Sequence, residues 1–272
     1  MKKLILLITT IAGLISCEKN EVNIQNLNNN QITALGHAGM GIGNVLPMNS
    51  FESISRAIHT GADGVEIDIQ LSFDGEFVAY HDSHLEDNSN KNGRIYQMYW
   101  KDIGRAKYKD PALTNFKVSS LEQILSGIPN VDHYVISFDC KLFNPDRSEE
   151  YINSYVEKLF RVITKYGLEQ NCIVEFKDER LAAKLKGKHP EIKQFFFAEF
   201  NKALEVVQAL DLNGINMDIS EISKAQVDLA HQNGIMISVY NTHKKQRNKR
   251  AIELNVDINQ TDRLAHFLRI LD

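Results

Sequence analysis

The sequence predicts an α/β fold: a closed (β/α)8 barrel of the TIM type, with a hairpin between barrel strands two and three. Three observations predict it. From Ile32 onward, short apolar runs alternate with amphipathic stretches at helical spacing, as in a mostly parallel sheet with covered faces. Eight strand candidates fall within about 240 residues, which suits one domain and favours closure over an open doubly wound sheet. Asp74-Gly75, between two strand-like runs, is a local exception, because a two-residue turn joins only antiparallel strands.

Ahead of the barrel, Met1-Lys2-Lys3 and the apolar run 4–15 read as the charged and apolar regions of an export signal, too short for a stable membrane span. Leu14-Ile15-Ser16-Cys17 resembles the lipobox of bacterial lipoproteins, whose cysteine becomes the lipidated first residue; an ordinary cleaved signal peptide is the alternative. Residues 1–17 are therefore expected to be a lipoprotein signal peptide with Cys17 as the lipidation site. The polar, Asn-rich stretch 18–31 is expected to be a tether, and 32–272 the barrel. The expected location is membrane-anchored, in the periplasm or at the cell surface. Without Lys2 and Lys3, 29 basic residues face 35 acidic ones, a balance of −6 where the whole chain has −4, which argues against a nucleic-acid partner. No obligate protein partner is evident. Cys140 and Cys172 sit in apolar strand-like runs and read as buried thiols, with a disulfide as the alternative in an oxidising compartment.

The elements follow in order. Residues 32–35 form a strand ending at Gly36-His37. A helix runs over 50–60 on Phe51, Ile54 and Ile58, with Asn49 or Ser50 as cap and Gly61 as stop. Strand two alternates strictly, Val65, Ile67, Ile69 and Leu71 on one face and Glu66, Asp68 and Gln70 on the other. A two-residue turn at Asp74-Gly75 would pair Phe73 with Glu76, Gln70 with Ala79 and Asp68 with His81 on a return strand over 77–80. Residues 83–115 read as a long polar loop and 121–125 as the start of a helix. The strand over 134–141 puts Asp139 and Lys141 on one face and Ile136, Phe138 and Cys140 on the other. Further strands follow at 172–176, 195–198, 214–217 and 235–240, with helices at 149–166, 179–187, 203–210, 223–232 and 244–254. Phe195-Phe196-Phe197 reads as a buried strand and the basic run 243–250 as a solvated helix face; Glu175 and Lys177 line the mouth or pair with each other.

On the hairpin alone, the polar face of strand two could be a solvent-facing edge. In a barrel that face points into the mouth, where active sites of this architecture lie at the C-terminal ends of strands. Close carboxylates repel unless one is protonated or a cation sits between them, so Glu66 and Asp68 form a metal-site candidate. His37 between glycines, His81-Asp82, and Asp139 with Lys141 repeat the pattern at other strand ends.

Gly36-His37-Ala38-Gly39, Pro47-Met48-Asn49-Ser50, Gly61 to Asp68, Asp74-Gly75 and His81-Asp82 together resemble the glycerophosphodiester phosphodiesterases. Ser120 to Leu125, Asp139-Cys140-Lys141, Val239-Tyr240-Asn241 and Thr261-Asp262 extend the resemblance over nearly the whole barrel. It implies one divalent cation, Mg²⁺ or Ca²⁺, held by Glu66, Asp68 and Asp139, with His37 and His81 as the acid–base pair and Lys141 on phosphate. It implies a small-molecule phosphodiester substrate, attack by a neighbouring glycerol hydroxyl, a cyclic phosphate opened by water, and glycerol 3-phosphate and an alcohol as products.

The chain departs from the family's pattern at three places. Ala38 replaces an Arg, Met48 a Glu, and Asp139 a Glu; Asp-x-Lys at 139–141 resembles the related sphingomyelinase D-like enzymes. Asn44 or Asn49 is the candidate for contacting phosphate in place of the absent Arg, and Tyr240 either lines the pocket or belongs to its rim. Two other outcomes therefore stay open. One is an enzyme that releases a cyclic phosphate from lipid headgroups, and the other a lipoprotein that binds phosphoryl ligands without turnover.

Overall fold

A computed structural model describes residues 23–271 apart from 43, 44 and 111. The signal peptide, Cys17 and Asn44 lie outside the described residues. Among the described residues, no helix is long and apolar enough to cross a membrane.

The barrel begins with β1 (Thr33–Gly36), which pairs in parallel with β2 (Gly64–Leu71). Val65, Ile67 and Ile69 of β2 pack outward in the main core, and Glu66, Asp68 and Gln70 are buried on the inner face. The antiparallel strands β3 (Phe77–Ala79) and β4 (Ser119–Ser120) sit outside the barrel on the end of β2. β5 (Val135–Cys140) takes the other edge of β2, in parallel and with Asp68 level with Asp139. The sheet continues through β6 (Cys172–Phe176), β7 (Lys193–Phe197), β8 (Gly214–Asp218), β9 (Met236–Tyr240) and β10 (Ile258–Thr261), and β10 pairs with β1 to close it. Eight parallel strands thus form the barrel, within a ten-stranded sheet.

Helices α1 (Phe51–His59), α3 (Leu121–Gly127), α4 (Glu149–Lys165), α5 (Glu179–Lys188), α6 (Phe200–Leu210), α7 (Lys224–Gln232), α8 (Lys245–Leu254) and α9 (Leu264–Leu271) follow successive strands, while α2 (Trp100–Ile103) belongs to the insertion before β4. Serines 50, 120, 148 and 223 cap four of these helices, each accepting a backbone N–H one turn on. Inside the barrel, Leu35, Ile173, Phe195 and Ile258 form an apolar plug. A polar group surrounds Glu175, which accepts from Ser137 Oγ at 2.5 Å, from Gln260 Nε2 at 2.5 Å and from Asn216 Nδ2.

Several expectations need correction. The eighth barrel strand is β10, whose Asn259, Gln260 and Thr261 hide it from a search for apolar runs; the return strand counted among the eight lies outside the barrel. The turn after β2 spans three residues, 73–75, because Ser72 N–H donates to Glu76 O at 2.9 Å and Gly75 takes φ +81°. Pairing is therefore shifted by one: Ile69 opposes Ala79 and Gln70 opposes Val78, so Asp68 does not oppose His81. The stretch read as a polar loop carries its own core, in which Leu85, Ile95, Ile103, Tyr108 and Val118 pack on Val78 and Tyr80. Within the stretch read as a tether, Leu27 N–H donates to Asp257 Oδ1 at 2.8 Å and Asn26 Nδ2 to Val256 O at 2.8 Å, fastening it beside the start of β10. Cys140 and Cys172 are free, buried thiols; Phe195 and Phe196 are buried as expected, while Phe197, at the strand end, is only half-buried.

Gly64 sets the distance between the two strands that carry the acidic residues. A Cβ added there would meet Val135 O at 1.8 Å, so β2 and β5 could not keep their register. Gly64→Ala should destabilise the fold by about 1–3 kcal/mol, as overpacking does, measured by denaturant unfolding. A change within 0.5 kcal/mol would show that the strands yield there.

Candidate active site

Alternation along β2 and β5 brings Glu66, Asp68 and Asp139 to one spot in the mouth. One carboxylate oxygen from each lies within 4.8 Å of the others. Burial pushes Glu66 well above the usual carboxylate range, with the Asp68 charge adding to it, and burial likewise raises Asp139. Burial also acts upward on Asp68, yet Lys141, His81 and Asn49 outweigh it and hold that group low. The Lys141 ammonium sits 3.0 Å from Asp68 Oδ1 and 2.6 Å from Asp139 Oδ2. Burial disfavours its charge, but the two aspartates overcome this and keep it protonated.

The donor set fits a hard divalent cation. All three side chains offer oxygen, the choice of Mg²⁺ and Ca²⁺ rather than of softer metals. Glu66 Oε2 accepts from Ala38 N–H at 2.8 Å, while its Oε1 is buried with no hydrogen-bond partner. An orphaned buried carboxylate oxygen costs folding free energy unless something positive meets it.

Both histidines are oriented in the same way. His37 leaves the end of β1 and faces Asp262 Oδ1 with Nδ1 at 3.0 Å, and its Nε2 lies 3.9 Å from Glu66 Oε2. Burial alone would lower this imidazole, but the hydrogen bond to Asp262 and the charges of Glu66, Asp262 and Asp68 lift it to about 9. His81 faces Asp82 Oδ1 with Nδ1 at 2.9 Å, and its side chain is 55% exposed, open to an incoming ligand. Gln70 Nε2 donates to Tyr80 O at 2.6 Å and to Asp82 O at 2.8 Å, gripping the backbone on either side of His81. In each pair a carboxylate holds Nδ1, which leaves Nε2 for chemistry.

The other expected residues fall in different places. Asn49, at φ +60° and buried, donates from Nδ2 to Asp68 Oδ2 at 2.7 Å and accepts from Asp68 N–H at 2.9 Å. Both ends of the amide expected to meet phosphate are thus occupied by Asp68. Tyr240 packs on Phe197, ring centroids 5.0 Å apart, in a small cleft of about 210 Å³ with Lys177 and Asp218. His37, His81 and Asn49 line a separate cleft of about 520 Å³. Glu175 lies deeper, raised to about 7 by burial and by Asp139, and pairs with polar side chains rather than with Lys177. Asp262 and Gln70 carry positioning roles that the sequence does not announce. The only signal for Asp262 was its place in the Thr261-Asp262 pair.

The profile of the glycerophosphoryl diester phosphodiesterase family matches residues 40–266. The uncharacterized Bacillus subtilis protein YqiK is 27% identical over 149 residues, 53% of this chain and 59% of that protein. A glycerophosphodiester phosphodiesterase of Caldanaerobacter subterraneus is 22% identical over 218 residues, 78% of this chain and 87% of that one. This chain therefore spans about three fifths of the first relative and most of the second. A solved Oleispira antarctica phosphodiesterase, in complex with the product sn-glycerol-3-phosphate, superposes with a TM-score of 0.78 at 18% identity, covering 91% of this chain and all of that one. The Agrobacterium tumefaciens glycerophosphodiester phosphodiesterase gives 0.73 at 18% identity, covering 88% of this chain and 100% of the other. Such identities speak for a shared fold. With the family profile spanning most of its length, this chain belongs to the glycerophosphoryl diester phosphodiesterase family.

Proposed function

We propose that this protein is a metal-dependent phosphodiesterase that cleaves glycerophosphodiesters to glycerol 3-phosphate and an alcohol, using His37 and His81 as its acid–base pair. One observation carries the proposal: two imidazoles, each held at Nδ1 by its own carboxylate, share a cleft beside three converging acidic side chains. Family membership and the product complex of the Oleispira protein support the same reading.

Glu66, Asp68 and Asp139 would hold Mg²⁺ or Ca²⁺, which supplies positive charge to the phosphodiester oxygens. Lys141, already between Asp68 and Asp139, is placed to lend an ammonium to phosphate once the aspartates have another partner. One histidine takes the proton of the attacking glycerol hydroxyl at Nε2, and the other gives a proton to the departing oxygen. In the second stage the roles reverse as water opens the cyclic phosphate. Asp262 and Asp82, by holding Nδ1 of each ring, would leave Nε2 to the substrate. The Tyr240 cleft, lined by Lys177 and Asp218 and separate from the cleft of the histidines, would receive the smaller ester arm.

Export and lipid anchoring at Cys17 are proposed on the lipobox alone. Cys17→Ala should move the protein from the membrane to the soluble fraction and abolish the mass added by lipid in a mass spectrum. An unchanged mass and distribution would remove the anchor.

His37→Ala and His81→Ala should each lower kcat/KM on glycerophosphocholine by about 10²–10⁴, the usual contribution of a general acid or base. Cation affinity by calorimetry should stay within a few-fold, while Glu66→Gln should weaken it strongly, and EDTA should abolish turnover until Mg²⁺ or Ca²⁺ is returned. Activity that survives both histidine changes would end the two-histidine mechanism.

In the metal-free protein, the His37 ring should titrate near 9 by proton NMR. Asp262→Asn removes a negative charge that favours the protonated ring, so the midpoint should fall. Added cation should lower it as well, by offsetting Glu66 and Asp68. A midpoint unmoved by Asp262→Asn would break the proposed His37–Asp262 pair.

A further inference from the structure

We infer that the smaller cleft is built for a zwitterionic ester arm, an alcohol carrying both an N–H-bearing ammonium and a carboxylate, so that the preferred substrate is glycerophosphoserine. This rests on the phosphodiesterase reading above and names the chemistry of its leaving group. Four successive strand ends form the cleft: Lys177 follows β6, Phe197 ends β7, Asn216 and Asp218 lie at the end of β8, and Tyr240 ends β9. Active sites of this architecture lie at that end of the strands. The acidic cluster is near enough that the charges of Lys141 and Asp139 act on both Lys177 and Tyr240. At about 210 Å³ the cleft falls below the ~300 Å³ at which sites for drug-sized ligands begin, and it suits an arm of a few heavy atoms.

Two groups in the cleft are unsatisfied, and they call for opposite charges. Lys177 forms no ion pair among the described residues; its Nζ sits 4.0 Å from the centroid of the Phe197 ring. Burial and the Lys141 ammonium both disfavour its charge, and Asp139 offsets them only in part, so an incoming carboxylate would restore it. Asn216 is 2% exposed. Its Nδ2 donates to Glu175 Oε2, while its Oδ1 is buried with no hydrogen-bond partner. An orphaned amide oxygen needs a donor, which an ammonium with N–H groups supplies and a quaternary ammonium does not. The negative charge for that ammonium comes from Asp218, where burial acts upward but hydrogen bonds from Ser220 and Asn241 outweigh it and hold the carboxyl low. Glu221 adds a carboxylate at the exposed rim. The third acid, Glu199, is spent on capping α6, where its Oε1 accepts from Asn201 N–H at 3.2 Å.

The proposed chemistry is unchanged by such an arm. The 2-hydroxyl oxygen bonds to phosphorus as the bond from phosphorus to the serine oxygen breaks. One imidazole takes the hydroxyl proton, the other protonates the serine oxygen, and free serine leaves. Water then opens the cyclic ester to glycerol 3-phosphate.

The test compares glycerophosphoserine, glycerophosphoethanolamine and glycerophosphocholine with Mg²⁺ or Ca²⁺, each followed by release of glycerol 3-phosphate. We expect kcat/KM to be about 10–100-fold higher for the serine diester than for the ethanolamine diester, the worth of one charged hydrogen bond, and the choline diester to be the poorest of the three. Lys177→Met, a change at an exposed side chain, should erase the advantage of serine over ethanolamine, and Lys177→Glu should reverse it. Asp218→Asn, checked for folding by circular dichroism, should erase the advantage of ethanolamine over choline. Equal kcat/KM on the three diesters, with glycerol 3-phosphate still released, would overturn this inference and leave the phosphodiesterase reading standing. Release from none of them would overturn both. A loss in Lys177→Met that is equal on all three would assign Lys177 to the phosphate and likewise overturn the inference.

Discussion

Two buried carboxylates and a half-buried third within 4.8 Å of one another cannot all be charged without a countercharge, and most of the mouth of this barrel answers that constraint. Lys141 bridges two of them, Asn49 gives both ends of its amide to Asp68, and the Ala38 amide meets Glu66. His37 is drawn into the same field from the neighbouring strand, its Nε2 3.9 Å from Glu66. Yet one oxygen of Glu66 remains buried and unpartnered. The protein's own cations thus balance the cluster incompletely, which is the state expected of a site that meets a further positive charge.

The same field explains the orienting carboxylates. An imidazole beside Glu66 and Asp68 would turn either nitrogen toward them if nothing fixed it. Asp262 settles the choice for His37 from β10, and Asp82 settles it for His81 from the start of the insertion. Closure of the barrel between β1 and β10 is what brings His37 and Asp262 together across 225 residues of chain. Closure therefore sets the His37–Asp262 pair as well as the packing.

How much of this was legible varies with the physics of each element. β2 could be read from its sequence because a strand half in the core and half in a polar interior must alternate. Asp139 and Lys141 were legible for the same reason. β10 was not, because Asn259 and Thr261 face Asn248 instead of an apolar helix surface, so the usual signal is absent. The hairpin register slipped because Asp74-Gly75 suits a two-residue turn as well as the three-residue one that forms, and the backbone bond from Ser72 to Glu76 decides between them. The insertion core escaped notice since Leu85, Ile95 and Ile103 are too widely spaced to show a period. The Asn49–Asp68 contact depends on a left-handed backbone at Asn49, which residue type permits but does not announce.

The departures from the family's pattern fall unevenly across the site. At position 38 the backbone work is intact: Ala38 takes φ +47° and still gives its amide to Glu66, so what is lost is only a side chain that would reach phosphate. At position 48, where the resemblance implies Glu, Met48 stands in the wall of the larger cleft, while the next residue, Asn49, keeps its grip on Asp68. At 139 a carboxylate remains, one methylene shorter, and converges with its partners. Residues that shape the acidic cluster and orient the histidines are thus retained or conservatively changed, and those that would touch the rest of the substrate are not. The retained half is the geometry that the proposed bond-breaking chemistry needs, and the changed half lies around it.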